Sequence, residues 1–387
     1  MLVGWRGMRL LAALLLCMGS GAGKAQTRVA TGEEAKQALA LEQQGQWKDA
    51  EAAWRKVLAG NPRDGMATAH LGLVLARETD YTGAVEEYRR ALKLDPKMQG
   101  LQLDLGLALF KQGKLDQAIA PLKAAVAATP DNAQAGILLG MSYYGTSQYA
   151  LAVPYLRAAV ERTPENVEMR GVLAQSCLQA KQYPCVLDQY KQILAANPDS
   201  AQAHMLAGEA LDGMNRTPDA IGEFQAAEKA APTEPNVHFG LGYLLWKQHR
   251  YPEAEQEFKA EIVNEPTHAA ALAYLGDTEI KLEHMQEAEA DLRRAVHQAG
   301  SLPMAWLDLG ITLAGEGKNE EAAADFEQAI GMDPNGVDAH WRLARLDQAM
   351  GKTEAARAEF AKARALHEKE DKSLVEQMKP AGSAQPK

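Results

Sequence analysis

The chain reads as an all-α protein, a right-handed solenoid of ten helix–turn–helix units, and three observations predict it. A dipeptide of Leu and a small residue recurs every 34 residues, at Leu71-Gly72, Leu105-Gly106, Leu139-Gly140, Leu173-Ala174, Ala207-Gly208, Leu241-Gly242, Leu275-Gly276, Leu309-Gly310 and Leu343-Ala344. Twelve residues after each small residue stands Ala or Val (Ala50, Ala84, Ala118, Ala152, Val186, Ala220, Ala254, Ala288, Ala322, Ala356), and four further on a large apolar side chain, from Trp54 and Tyr88 to Phe326 and Phe360. A Pro closes most units, at 62, 96, 130, 164, 198, 232, 266 and 334. A period held that strictly marks one supersecondary unit, stacked because it cannot bury its own apolar face alone.

Each element of the unit follows from its residues. Apolar side chains four and seven apart make a helical stripe. Gly or Ala at the two small positions lets two antiparallel helices approach where a larger side chain would hold them apart. The Pro stops the second helix, because it lacks an N–H and restricts the residue before it. Units starting at 31, 65, 99, 133, 167, 201, 235, 269, 303 and 337 tile the chain to residue 370. The outer units are the least regular, as caps should be: Glu34, Gln37 and Glu42 fall in the first, and Asp347 and Glu368 in the last. With no closing Pro, the last helix should run on through Lys372 and Glu376, and Lys379–Lys387 has the composition of a disordered tail.

This pattern resembles the tetratricopeptide repeat. The resemblance covers nearly all of the chain after residue 30 and implies a scaffold that binds a partner protein or peptide segment in a concave groove lined by the first helices. In that family the groove stripe falls one, five and eight residues after the site held here by His204 and His238. Carried onto this sequence, it places Leu103, Leu107, Phe110, Ile137, Met141, Tyr144, Gln175, Met205, Phe239, Tyr243, Trp246 and Trp341 in the groove. The stripe is apolar early, turns polar or small at Gly171, Gln175, Glu209 and Asp212, and becomes aromatic again at Phe239, Tyr243 and Trp246. The Lys, Asn and Arg of the family's carboxylate clamp are absent from the central positions, which argues against a ligand that is a chain end.

Residues 1–25 stand apart from the repeats. Arg6 and Arg9 precede the apolar run Leu10–Met18, and small residues follow up to Ala25. That is the layout of a secretory signal peptide cleaved near Ala25, and the run is too short for a stable anchor. The expectation is an extracytoplasmic protein, most simply periplasmic, with no transmembrane segment in the mature chain. Loss of Arg6, Arg9 and Lys24 moves the formal charge from −10 to −13. An acidic surface without a basic stripe argues against nucleic acid as a partner. Cys177 and Cys185 form an even pair in the fifth unit, one near the end of each helix-turn junction; the sequence is compatible with a disulfide and with two buried thiols.

Chemistry is hard to find. His204, His238 and His340 recur at one frame position, a packing signature rather than a ligand set, and no His or Cys cluster has metal-ligand spacing. Glu261, Glu279 and Asp347 occupy frame positions that are apolar elsewhere. They lie in different units, where Lys281 or Arg345 could pair with them, and share no loop on which to converge. Neither a nucleophile elbow nor a phosphate-cradling loop is present. The sequence therefore reads as a non-enzymatic envelope scaffold without cofactor or metal, holding an apolar or aromatic partner segment. The alternative is a polysaccharide-handling solenoid whose groove aromatics stack on sugar rings.

Overall fold

The structure is a computed structural model and describes residues 32–377. The signal-like segment, Ala25 and the tail beyond 377 lie outside the described residues. Those residues hold twenty helices and no strand, in two bodies that divide at residue 180. The first body contains α1 (Glu33–Gln43), α2 (Trp47–Gly60), α3 (Gly65–Arg77), α4 (Tyr81–Leu94), α5 (Leu101–Lys111), α6 (Leu115–Ala128), α7 (Ala133–Gly145), α8 (Tyr149–Arg162) and α9 (Val167–Gln179). The second contains α10 (Tyr183–Ala196), α11 (Ala201–Gly213), α12 (Thr217–Ala230), α13 (Val237–Lys247), α14 (Tyr251–Asn264), α15 (Ala269–Lys281), α16 (Met285–Gln298), α17 (Pro303–Gly315), α18 (Asn319–Met332), α19 (Val337–Ala349) and α20 (Thr353–Gln377).

Within each body, every helix packs on its neighbours in sequence, and successive first helices also touch from α3 to α7 and from α11 to α19. Short polar residues start many of the first helices. Asp64, Asn132, Asn166 and Ser200 accept hydrogen bonds from the backbone N–H groups of Ala67, Ala135, Met169 and Ala203, which the helix leaves unpaired. The close approach of paired helices rests on the small residue of the frame. A Cβ on Gly276 would lie 2.4 Å from Leu292 Cγ, and one on Gly208 would lie 2.6 Å from Phe224 Cδ2. The large residues that occupy this space, Tyr88, Leu122, Leu156, Phe258, Leu292 and Phe326, are buried.

The turn between paired helices carries a regularity that residue types alone do not display. One left-handed residue stands in every turn, at 45, 79, 113, 147, 181, 215, 249, 283, 317 and 351. Four of the ten are Gly and one is Asn215, which tolerates this region; Thr79, Ser147, Lys181, His249 and Glu283 adopt the same conformation at a cost of about 1 kcal/mol each. Packing of the helix pair overrides local preference there. No described helix is long and apolar enough to cross a membrane.

Candidate functional site

On the first body, the stripe is mostly aliphatic. Leu103, Leu107 and Phe110 on α5, Ile137 and Tyr144 on α7 and Gln175 on α9 are half-buried. Tyr144 meets Tyr149 edge-on at 5.8 Å, and burial raises its phenol above the usual range. Two expected groove residues are corrected: Met141 is only 3% exposed and Met205, on α11 of the second body, only 9%. Both are packed away from solvent and offer little to a ligand.

On the second body the stripe becomes a polar-edged aromatic surface. α13 begins after Asn236, which is left-handed (φ 68°) and provides no side-chain cap, so the first N–H groups of this partly buried helix start need an acceptor from another helix. Glu261 of α14 supplies it: one carboxylate oxygen accepts from Asn236 N at 2.9 Å and the other from Phe239 N at 3.0 Å. Charge at a helix N-terminus is favourable in itself. This fixes where Phe239, Tyr243 and Trp246 emerge. The Phe239 ring lies 4.9 Å from His268 and 6.1 Å from Phe258, in the interior part of the cluster. Tyr243 and Trp246 lie nearly parallel, centroids 6.1 Å apart, and Tyr274 of α15 meets both edge-on at 5.5 and 5.1 Å. Such offset and T-shaped pairs are the favoured aromatic geometries. All four rings of Phe239, Tyr243, Trp246 and Tyr274 are half-buried.

Carboxylates edge the rings. Trp246 Nε1 donates to Asp277 Oδ2 at 2.6 Å. Lys247 Nζ donates to both oxygens of Asp212, at 2.7 and 2.9 Å, and stands 5.9 Å from the Tyr243 centroid. Glu209 is exposed on the same stripe. Asp308 of α17 is 5% exposed, and its Oδ2 has no hydrogen-bond partner among the described residues. Burial first, and then the charge of Asp277, push the Asp308 carboxyl up to about 8, against Lys281 and Arg342. Tyr274 and Asp308 were outside the stripe read from the sequence. They sit two residues after the His238-equivalent site, a frame position held by residues as different as His70, Asp104, Leu138, Val172, Leu206 and Gly240, so nothing at that position singled them out. At the far end Trp341 is 41% exposed with Arg345 over its ring at 4.9 Å.

The other sequence candidates resolve into packing. His204, His238 and His340 each lie against a Glu nineteen residues on, Glu223, Glu257 and Glu359, with His238 Nδ1 2.7 Å from Glu257. The second nitrogen of His238 donates to Pro232 O at 2.9 Å and that of His340 to Pro334 O at 3.2 Å. Arg170 and Trp306, at the same frame position, also donate to a carbonyl six residues back. The position is a clasp between consecutive units. Glu279 pairs with Lys259 at 3.4 Å rather than with Lys281, and burial raises it to about 7. Asp347 pairs with Lys352 at 3.8 Å rather than with Arg345. Two groups bring three potential ligands within 4.8 Å, Glu228–His238–Glu257 and Glu261–Glu265–His268, which residue spacing did not reveal. Their histidines and Glu261 are already engaged in the hydrogen bonds above, and His268 Nδ1 accepts from Ala271 N at 3.0 Å. Cys177 and Cys185 are buried, and each is disulfide-bonded.

A family model described as tetratricopeptide repeat matches residues 35–99, 78–133, 187–235 and 239–303, and a second of the same description matches 143–210 and 313–376. The chain belongs to the tetratricopeptide repeat family. Among solved structures, it is similar to MamA at 23% identity over 43% of this chain and 96% of that one, with a TM-score of 0.40. It is similar to YrrB, described as a TPR protein with an unusual peptide-binding site, at 21% identity over 49% of this chain and 97% of that one, TM-score 0.41. A MamA from Desulfovibrio magneticus RS-1 aligns at 19% identity over 44% and 97%, TM-score 0.41. No curated protein matches the chain in sequence.

Proposed function

From membership of this repeat family and the aromatic face of α13 and α15, we propose that the protein is a non-catalytic scaffold that holds an apolar or aromatic segment of a partner protein. The observation that carries this reading is the cluster of Tyr243, Trp246 and Tyr274, which is half-buried with polar groups along its edge. Large aromatic rings left partly accessible beside carboxylates are what a protein interface uses as anchors. We place the protein in the bacterial envelope, on the signal-like leader and on the disulfide-bonded state of Cys177 and Cys185, since such bonds persist in oxidising compartments.

A photo-crosslinking amino acid at position 243, with a control at the exposed Gln256, tests this in native cells. Capture of one discrete protein from position 243 alone is the expected result. Equal capture from both positions, or none, overturns it. Tryptophan fluorescence titrated with oligosaccharides should stay unchanged; a saturable shift would transfer the aromatic face to sugar binding.

A further inference from the structure

We propose that the carboxyls of Asp277 and Asp308, beside the rings of Tyr243, Trp246 and Tyr274, receive a cationic side chain, Arg or Lys, of the bound peptide, whose apolar residue lies on the rings. This rests on the scaffold reading above and names the chemistry of the partner segment.

Four features converge on a cation. The first is the orphaned oxygen: Asp308 is nine-tenths buried and its Oδ2 has no hydrogen-bond partner among the described residues, although buried acceptors are nearly always satisfied. Second, the fold does not require an acid at this frame position, which Leu138, Val172 and Leu206 also fill; the other acid there, Asp104, is half-buried and is moderated by Arg77. Third, the Trp246 N–H holds Asp277 by Oδ2, leaving Oδ1 with only a 3.6 Å approach from the exposed Lys281. The charge of Asp277 raises the Asp308 carboxyl, with loose compensation from Lys281 and Arg342 and further repulsion from Asp338, which leaves an unmet demand for positive charge. Fourth, the neighbouring rings add cation–π attraction for the same group, as Lys247 over Tyr243 illustrates from within the chain. A planar guanidinium can bridge two carboxyls and lie against a ring at once, so Arg should be preferred to Lys.

The test uses fluorescein-labelled octapeptides of Gly and Ser carrying one Trp, with Arg, Lys, Gln or Glu placed one to four residues away, and reads anisotropy with the purified protein. The best Arg peptide should bind about tenfold tighter than its Gln counterpart, the scale of one charge-assisted hydrogen bond. Asp308→Asn, which keeps the shape of the side chain, should reduce that preference to about twofold or less while leaving Gln peptides unchanged. Tyr243→Ala should weaken every peptide alike. Calorimetry at pH 7 in phosphate and in Tris gives a second readout: Arg-peptide binding should release a proton from Asp308, making the enthalpy depend on the buffer, and Asp308→Asn should abolish that dependence. Equal affinity for Arg and Gln peptides, with Tyr243→Ala still weakening both, overturns the cation pocket and leaves the scaffold reading standing. A preference for Arg that survives in Asp308→Asn and Asp277→Asn also overturns it. Peptides that bind the same to wild type and Tyr243→Ala, or not at all, overturn both.

Discussion

Helices α5 and α13 stand at the same place in the 34-residue frame, four units apart, and they have become different objects. Each has eleven residues and each follows a left-handed residue, Gly100 in one and Asn236 in the other. Leu103, Leu107 and Phe110 on α5 correspond to Phe239, Tyr243 and Trp246 on α13. The start of α5 has no side-chain cap, and the residue matching Glu261 is Ala125. α13 is held at its start by Glu261, and its last turn by the bond from Trp246 to Asp277, where the first body has Met141. The frame builds the same helix twice; residues that depart from the frame turn only the second copy into a surface with chemistry.

The largest expected effect breaks that difference at its root. Glu261→Ala restores the residue used at Ala125, so it adds no clash, but it leaves two backbone N–H groups of a buried helix start without an acceptor. The loss should be about 3 kcal/mol. Hydrogen exchange should speed up at the Phe239 amide while the α5 amides keep their protection; unchanged exchange at Phe239 would show that the carboxylate is not what fixes α13.

Next in size is a pH effect that separates two acids at one frame position, the buried Asp308 and the half-buried Asp104. Burial raises both; Arg77 limits Asp104 to about 6, whereas Asp277 helps raise Asp308 to about 8. Each binds its proton more tightly in the folded state than near the ordinary 3.8. Their stabilising contribution is therefore complete below pH 3.8 and declines as pH rises through the folded value. Asp308→Asn should raise stability at pH 9 by on the order of 2 kcal/mol, and Asp104→Asn by about 1 kcal/mol. Both gains should shrink toward pH 4, with the Asp104 gain level above about pH 7 and the Asp308 gain still growing there. Thermal melts of the two variants across pH 4 to 9 check this, and parallel curves would erase the distinction between the two faces.

A smaller effect isolates the hydrogen bond from the ring. Trp246→Phe gives the second body the residue that Phe110 supplies in the first, keeping aromatic packing on Tyr274 while removing the N–H donor to Asp277. About 1 kcal/mol should be lost, and the loss should disappear in an Asp277→Asn background if the two groups act as one. Additive losses in that double-mutant cycle would mean that the indole contributes only by its bulk.

Repetition is why the helices, their partners and the α13 aromatics were legible in the sequence while the site around them was not. Leu71-Gly72 and its relatives report what every unit shares, and a stripe at fixed offsets finds Tyr243 and Trp246 directly. Tyr274 and Asp308 contribute from the next units, at an offset that His70, Asp104, Leu138 and Gly240 fill without any common character. Their meaning depends on which residue the preceding helix offers. Glu261 is a sharper case: it looked like an acid in search of a Lys, whereas its partners are backbone N–H groups that no residue type announces. Met141 and Met205 fall on the stripe by register but are covered by neighbouring helices, because a stripe position is shared between facing a groove and packing on the next first helix.

The smallest prediction concerns two glycines that look alike in sequence. Gly136 and Gly240 are each the fourth residue of a first helix, α7 and α13, and neither has a positive φ. A Cβ at Gly136 would meet nothing within 4 Å, whereas at Gly240 it would lie 2.1 Å from Phe224 Cε1 and 2.5 Å from Cζ. Gly136→Ala should therefore stabilise by about 0.5–1 kcal/mol, through helix propensity and the lower entropy of the unfolded chain. At Gly240 the same gain is available in principle, but the methyl group must displace a Phe224 ring that is 3% exposed and packed in the core beneath the aromatic face. Gly240→Ala should destabilise, and because Phe224 also fills the space beside Gly208, the disturbance should reach α11 as well. Melting temperatures moving in opposite directions for the two variants would confirm that glycine in the first body is a tolerated gap in a stripe, while in the second it is the space that lets α13 settle onto Phe224. Two stabilised variants would instead show that Phe224 rotates freely and that the aromatic face has no rigid floor.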